Sequence, residues 1–184
     1  MPYLKSLPEN GMLLDVFRAY PATSKPLLDY HEIVMRGPSP FTVAERELIA
    51  AYVSGVNDCA YCHGVHTETA QACGVPAGLA PAAVADLESA RVDERMRAVL
   101  RYVGKLTRTP GEMTQADADA VLAAGWDERA LHDAVIVCAL FNFMNRMVNG
   151  LGVRGDAEYF ALSGKRLADI GYTGLNGLLP DGSA

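Results

Sequence analysis

No stretch of this sequence gathers lysine and arginine, no run alternates apolar and polar residues as a strand does, and no apolar run reaches bilayer length. Each absence excludes something. With 16 Lys+Arg against 22 Asp+Glu, a net charge of -6 and a pI near 5.2, nucleic acid is not an expected partner, because binding a phosphate backbone needs clustered cations. The most apolar run, "AVIVCALFNFM" at residues 134–144, is bounded by His132 and Asp133 on one side and by Asn145 and Arg146 on the other. That is well short of the roughly 20 residues of a membrane span. The opening "MPYLKSLPENGMLLDVF" holds no apolar run of signal-peptide length. A cytoplasmic protein without membrane contact is expected. Cysteine is sparse as well: Cys59, Cys62, Cys73 and Cys138. Disulfide frameworks belong to small secreted chains, so a close cysteine pair here points to redox or metal chemistry.

What is present is helical. The 184 residues are half apolar, enough for one domain with a real core, spanning 1–184. Alanine, leucine and charged residues dominate, and the pattern predicts an all-α fold. Helices are expected over 13–19, 26–35, 42–55, 58–73, 81–89, 93–107, 115–124 and 127–149. Thr42 and Glu45 form a capping-box pattern, and Gly55 reads as the stop of that helix. Asn57 or Asp58 is the expected cap of the next. From about 165 to 184 the glycines at 171, 174, 177 and 182 suggest a C-terminal arm, with "YTGLNGLL" apolar enough to dock. At an offset of 83 residues, Glu45-Arg46, Leu48, Ala51 and Val65 recur as Glu128-Arg129, Leu131, Ala134 and Val148. A duplicated hairpin lacking reactive side chains would produce that coincidence, and so would chance.

The chemistry concentrates in "NDCAYCHGVHTETA", residues 57–70. Cys59 and Cys62 lie one helical turn apart and share a face, which His66 extends and His63 borders. In the first turn of a helix the free N–H groups and the dipole favour a thiolate. If 42–55 and 58–73 form an antiparallel hairpin, Glu47 falls level with His66. A carboxylate orienting a histidine that takes a proton from a thiol is the arrangement of an activated nucleophile. Zinc on Cys59, Cys62, His63 and His66 is the competing reading, weakened because four ligands on two turns of one helix do not easily surround an ion. Cys73 and Cys138 read as packing residues, as do His31 and His132, on the surface or in the core.

The segment "ERELIAAYVSGVNDCAYCHGVH", residues 45–66, resembles the core motif of the carboxymuconolactone decarboxylase superfamily in its alkylhydroperoxidase D-like branch. That motif is a glutamate, eleven residues, then Cys-x-x-Cys-x-x-x-His, matched here by Glu47, Cys59, Cys62 and His66. The long helix ending "FNFMNRMVNGLGV" resembles a subgroup known as peroxidase-related enzymes. The resemblance implies a compact helical bundle whose core hairpin carries the cysteines at a helix N-terminus. It implies a thiol peroxidase: Cys62 peroxidatic, Cys59 resolving, and Glu47 with His66 as proton relay. No bound cofactor is implied. The partners are a small-molecule hydroperoxide and an external dithiol, thioredoxin-like or lipoyl, and assembly is as a trimer or hexamer. Members that decarboxylate a lactone lack the cysteine pair. Where alkylhydroperoxidase D has a histidine before the second cysteine, this chain has Tyr61, with His63 one residue past that cysteine; both are accessory candidates. The substitution keeps open a disulfide oxidoreductase or redox sensor with weak peroxidase activity, and a metal-binding helical module stands behind that.

Overall fold

In the computed structural model, which describes residues 1–180, Thr42 opens the helix on which the rest packs. Its hydroxyl accepts the Glu45 N–H at 3.2 Å while the Glu45 carboxylate accepts the Thr42 N–H at 2.7 Å, so two otherwise unpaired N–H groups are satisfied. The helix is α3 in a series of α1 (Leu13–Ala19), α2 (Pro21–Arg36), α3 (Val43–Val56), α4 (Ala60–Ala72), α5 (Leu79–Ala85), α6 (Glu94–Arg108), α7 (Gln115–Ala123), α8 (Glu128–Gly150) and α9 (Ala157–Ile170). Short 3-10 turns follow α6 and α9. There is no strand among the described residues. Every residue of α3 from Arg46 to Ser54 is buried, as expected of a helix surrounded on all sides. It contacts α4, α5, α6 and α8.

The hairpin from α3 to α4 turns at Asp58, whose φ of 52° puts it in the left-handed region, a conformation Asp tolerates better than most residues. The consequence is a shift from expectation. Neither Asn57 nor Asp58 caps α4; Cys59 does, and the Cys59 N–H closes the turn on the Ser54 carbonyl at 2.9 Å.

Helix α9 had no counterpart among the expected elements, and the expected arm from 165 begins with its last turns. Asp156 caps α9 through the Tyr159 N–H at 2.8 Å. The helix lies against α4, and glycines on both helices allow the approach. A methyl group on Gly164 would sit 2.8 Å from the Thr69 backbone nitrogen, and one on Gly64 would overlap the Phe160 ring. Only after Gly171 (φ 65°) does the chain leave the helix, and it then folds back on α2. There the Glu32 carboxylate accepts the N–H groups of Tyr172 and Thr173, at 2.7 and 3.2 Å. Residues 181–184 of the expected arm lie outside the described residues.

Three other expectations shift. Helix α2 begins at Pro21 and carries Pro26 inside it; Pro21 occupies the first turn, where its missing N–H costs nothing. Helix α5 ends at Ala85 because Asp86 accepts the N–H groups of Glu88 and Ser89 and turns the chain. The internal repeat does not produce a second hairpin, since α8 runs unbroken for 23 residues through the region where a turn would fall. By length and composition alone α8 is long and apolar enough to cross a membrane. In this fold it packs against α3 and α6, burying Val137, Cys138, Phe141 and Val148.

Candidate active site

Glu47 sits at the centre of the site with no solvent exposure. Its position on α3 places it across the hairpin from His66 on α4, and the two meet directly: His66 Nδ1 lies 2.7 Å from Glu47 Oε2. A carboxylate only accepts when ionised, so Nδ1 carries the proton and Nε2 of a neutral ring holds the lone pair. The other carboxylate oxygen is also occupied. Arg36 Nη1 donates to Oε1 at 2.7 Å and the Tyr172 hydroxyl at 3.0 Å. Burial pushes the Glu47 pKa up, but His66 and Arg36 outweigh it and the carboxyl stays below its ordinary value. Tyr172 shows the reverse balance: burial and then the Glu47 charge hold its phenol well above the ordinary value. Glu47 is therefore a fixed anion with three donors, and Tyr172 stays protonated.

The cysteines occupy the next turns of α4. Cys59 is fully buried and Cys62 is 3 % exposed, both as free thiols. Their acidities separate in the direction opposite to a simple assignment of the thiolate to Cys62. Hydrogen bonding from the Cys62 thiol is the largest influence on Cys59; burial opposes it, and the Cys62 backbone N–H and Asn145 assist. Together they lower the Cys59 pKa from 9.0 to about 7. Cys62 is raised well above the ordinary thiol value, first by its hydrogen bond to Cys59 and then by burial. The pair behaves as one acid whose first proton leaves from the helix cap. Asn145 of α8 is held for this contact: its side-chain nitrogen donates to Ser54 Oγ at 3.0 Å and its oxygen accepts from Asn57 at 2.9 Å.

Cys62 and His66 open onto a common cavity of about 70 Å³. Its wall is mostly apolar, built by α1, α2, α4, α8, α9 and the segment after Gly171, and its other polar members are His31, Tyr61, Tyr159, Ser163, Arg166 and Tyr172. Cys59 does not line it. The Tyr61 hydroxyl donates to the Tyr159 hydroxyl at 2.8 Å, and burial holds the Tyr61 phenol far above its ordinary value. At this position the chain presents a neutral hydroxyl pair in place of an imidazole.

The structure thus gathers Glu47, His66, Cys62, Cys59 and Tyr61, and leaves His63 aside. The His63 Nδ1 lies 2.9 Å from the Ala51 carbonyl, and the residue does not line the cavity. Among the described residues no three His, Cys, Asp or Glu side chains are arranged to hold a metal ion. Cys138 is buried beside Thr107, 3.3 Å away, and His132 is exposed, as expected. His31 is buried, as a packing residue would be, but departs from expectation in lying on the cavity wall. Arg36, Tyr172 and Asn145 also escape sequence reasoning. They lie 11, 125 and 98 positions from Glu47; the stretches that hold Asn145 and Tyr172 stood out in the sequence, but no spacing rule ties either residue to Glu47 or to the cysteines.

Comparison with known proteins agrees with this geometry. The model of the carboxymuconolactone decarboxylase family matches residues 21–105, which hold the whole α3–α4 hairpin. An uncharacterized peroxidase-related protein from Silicibacter sp. TM1040 superposes with a TM-score of 0.75 at 27 % identity, over 80 % of this chain and 78 % of that one. An uncharacterized peroxidase-related protein with an alkylhydroperoxidase AhpD core, from Ralstonia eutropha JMP134, gives 0.75 and 27 %, over 82 % and 78 %. A protein of unknown function from Agrobacterium tumefaciens shares the fold, with a TM-score of 0.67 at 19 % identity over 77 % and 95 %. No curated protein matches the chain. The all-helical fold, the hairpin that carries Glu47, Cys59, Cys62 and His66, and these matches place residues 21–105 with the carboxymuconolactone decarboxylase family and the fold of the chain with its alkylhydroperoxidase D-like form.

Proposed function

We propose that the protein is a thiol-dependent peroxidase that reduces hydroperoxides through Cys62 and Cys59. The observation that carries the reading is the direct 2.7 Å contact of His66 with the buried Glu47, on a cavity whose one thiol is Cys62. His66 Nε2 accepts the Cys62 proton. The Cys62 sulfur attacks the terminal oxygen of the hydroperoxide; the S–O bond forms as the O–O bond breaks, and the departing alkoxide takes the proton from His66. Cys62 is left as a sulfenic acid. Cys59, with a pKa near 7, is the better thiolate at neutral pH. It attacks the Cys62 sulfur, forming the disulfide and releasing water.

An external dithiol, lipoyl or thioredoxin-like, returns the pair to thiols by exchange. The electrons come from thiols throughout, so the reaction calls for no resident cofactor or metal. A reducing, cytoplasmic compartment suits such a cycle. Assembly as a homo-trimer or hexamer belongs to the same reading; the Phe143 side chain, exposed on α8, would be covered by it.

The disulfide oxidoreductase alternative is less well supported. Cys59 is sealed and Cys62 faces a small cavity, so a small hydroperoxide reaches the thiol more readily than a protein disulfide does, and a lipoyl dithiol more readily than a thioredoxin-like one. The decisive experiment is hydroperoxide consumption with dithiothreitol as reductant, comparing wild type with Cys62→Ser and Cys59→Ser. Loss of turnover in Cys62→Ser, with one rapid oxidation retained in Cys59→Ser, is expected. Equal rates in wild type and Cys62→Ser would sink the assignment.

A further inference from the structure

His31 sits on α2, outside the motif, yet it faces the same cavity as Cys62 and His66. It is 3 % exposed. Its Nδ1 lies 2.7 Å from the Leu27 carbonyl, and a carbonyl only accepts, so Nδ1 carries the ring proton and Nε2 holds a lone pair. The ring is fixed between Tyr172, centroid 5.2 Å away, and the edge of Phe141 at 6.1 Å. The hydroxyl of Tyr172, whose ring packs against it, is committed to Glu47. Among the described residues nothing donates to His31 Nε2.

The two imidazoles of the cavity therefore differ. His66 is backed by a carboxylate, which suits it to take and return a proton. His31 is backed by a neutral carbonyl in apolar surroundings, and burial lowers its pKa from 6.5 to about 4. It remains a neutral acceptor throughout the physiological range. An acceptor with no protein donor, set in an apolar wall, calls for a ligand with one O–H or N–H end and an apolar body. A cationic amine would lose its hydration to a wall that, among the described residues, carries no carboxylate and whose one charged side chain, Arg166, repels it, which favours a neutral O–H.

Resting on the peroxidase reading above, we propose that His31 is a substrate-binding residue whose Nε2 accepts the O–H of an organic hydroperoxide and turns the terminal oxygen toward the Cys62 sulfur. The proton held by His31 does not move in the reaction. It stays on the oxygen transferred to sulfur and becomes the sulfenic O–H, while the proton that reaches the alkoxide comes from Cys62 through His66. Holding and transfer are thus divided between two histidines of one cavity.

The test compares wild type, His31→Phe and His31→Gln in two reactions of Cys62, with folding checked by circular dichroism. The first is oxidation by cumene hydroperoxide, followed by stopped flow; the second is alkylation by iodoacetamide, located by mass spectrometry. His31→Phe is expected to slow the oxidation about tenfold, the weight of one hydrogen bond. His31→Gln, which keeps an acceptor, is expected to recover part of it. Alkylation, which offers no O–H, is expected to be unchanged. Equal oxidation rates in wild type and His31→Phe, or equal slowing of both reactions, would overturn the assignment. A measurement on wild type alone guards against misfolding of the variants. Cumyl alcohol is expected to inhibit severalfold better than its methyl ether, and equal inhibition would count against the acceptor. Wild-type thiols that alkylate normally but consume no hydroperoxide would overturn the peroxidase reading and this inference with it.

Discussion

The Tyr172 hydroxyl lies 3.0 Å from Glu47 Oε1, joining a residue beyond the last helix to the centre of a motif 125 positions earlier. With Arg36 on the same oxygen and His66 on the other, Glu47 has no room for a proton. Its work is to hold the His66 ring and tautomer, and the ring does the proton transfer.

Glu47→Gln follows from this directly. The variant leaves the Arg36 guanidinium, mostly buried, facing a neutral amide. Breaking such a pair by removing one partner costs about 3–5 kcal/mol. Tyr172→Phe removes one hydrogen bond to a charged group, about 1.5–3 kcal/mol. Urea denaturation at pH 7 should rank the proteins wild type, Tyr172→Phe, Glu47→Gln in falling stability. A Glu47→Gln protein as stable as wild type would contradict the clamp.

The thiol titration tests the division of acidity within the pair. Thiolate absorbance of the reduced protein should show a first step near pH 7, the lowered Cys59 value, and that step should vanish in Cys59→Ser. Asn145→Ala, which removes an amide donor from the thiolate, should move the step upward. The sign for stability follows: a folded pKa below the ordinary 9.0 contributes nothing below pH 7 and increasingly more between pH 7 and 9. The raised Cys62 value acts oppositely above that window. A first step that stays in Cys59→Ser and disappears in Cys62→Ser would reverse the assignment.

Acid stability carries the signature of His31. Its folded pKa of about 4 lies below the ordinary 6.5, so its contribution is full above pH 6.5 and lost as the pH falls toward 4. At 1.36 kcal/mol per unit the loss is about 3 kcal/mol. Thermal unfolding from pH 7 to pH 4 should show a smaller decline in His31→Phe than in wild type. Parallel declines would show that His31 is not the group excluded from protonation. Glu47 adds a further loss below its ordinary value of 4.5.

Gly164→Ala tests the contact that brings α9 onto the site. The added methyl would meet the backbone of α4 at Thr69, which has no flexible end to move. Overpacking of this kind costs about 1–3 kcal/mol, and the shift of α9 should also raise the exposure of Cys62 beneath it. Faster alkylation of Cys62 in Gly164→Ala, with a lowered unfolding midpoint, is expected; unchanged values of both would separate α9 from the site.

Local chemistry was written openly in the chain. Thr42 with Glu45 announced the start of α3, and the composition announced helices throughout. The spacing of Glu47, Cys59, Cys62 and His66 needed only the geometry of one hairpin, because every distance in it is a short count of helical turns. Legibility ended where a local rule had competitors. The cap of α4 passed from Asn57 or Asp58 to Cys59 because Asp58 was drawn into the left-handed turn. Helix α9 was hidden by the glycines that let it pack.

What the sequence determined by itself is therefore the helical class and the reactive quartet, both consequences of periodicity and of residues within twenty positions of one another. Tertiary structure alone brought Asn145 from α8 to the cysteine pair, where its amide favours the thiolate, while the division of acidity within the pair comes first from the Cys59–Cys62 hydrogen bond itself. Tertiary structure decided that Glu47 is locked, since no spacing rule ties Arg36 or Tyr172 to it. It also turned His31 from a packing residue into a cavity wall. Contacts of this range form only when several amphipathic helices bury their faces together, and the partners so chosen leave no trace in local spacing.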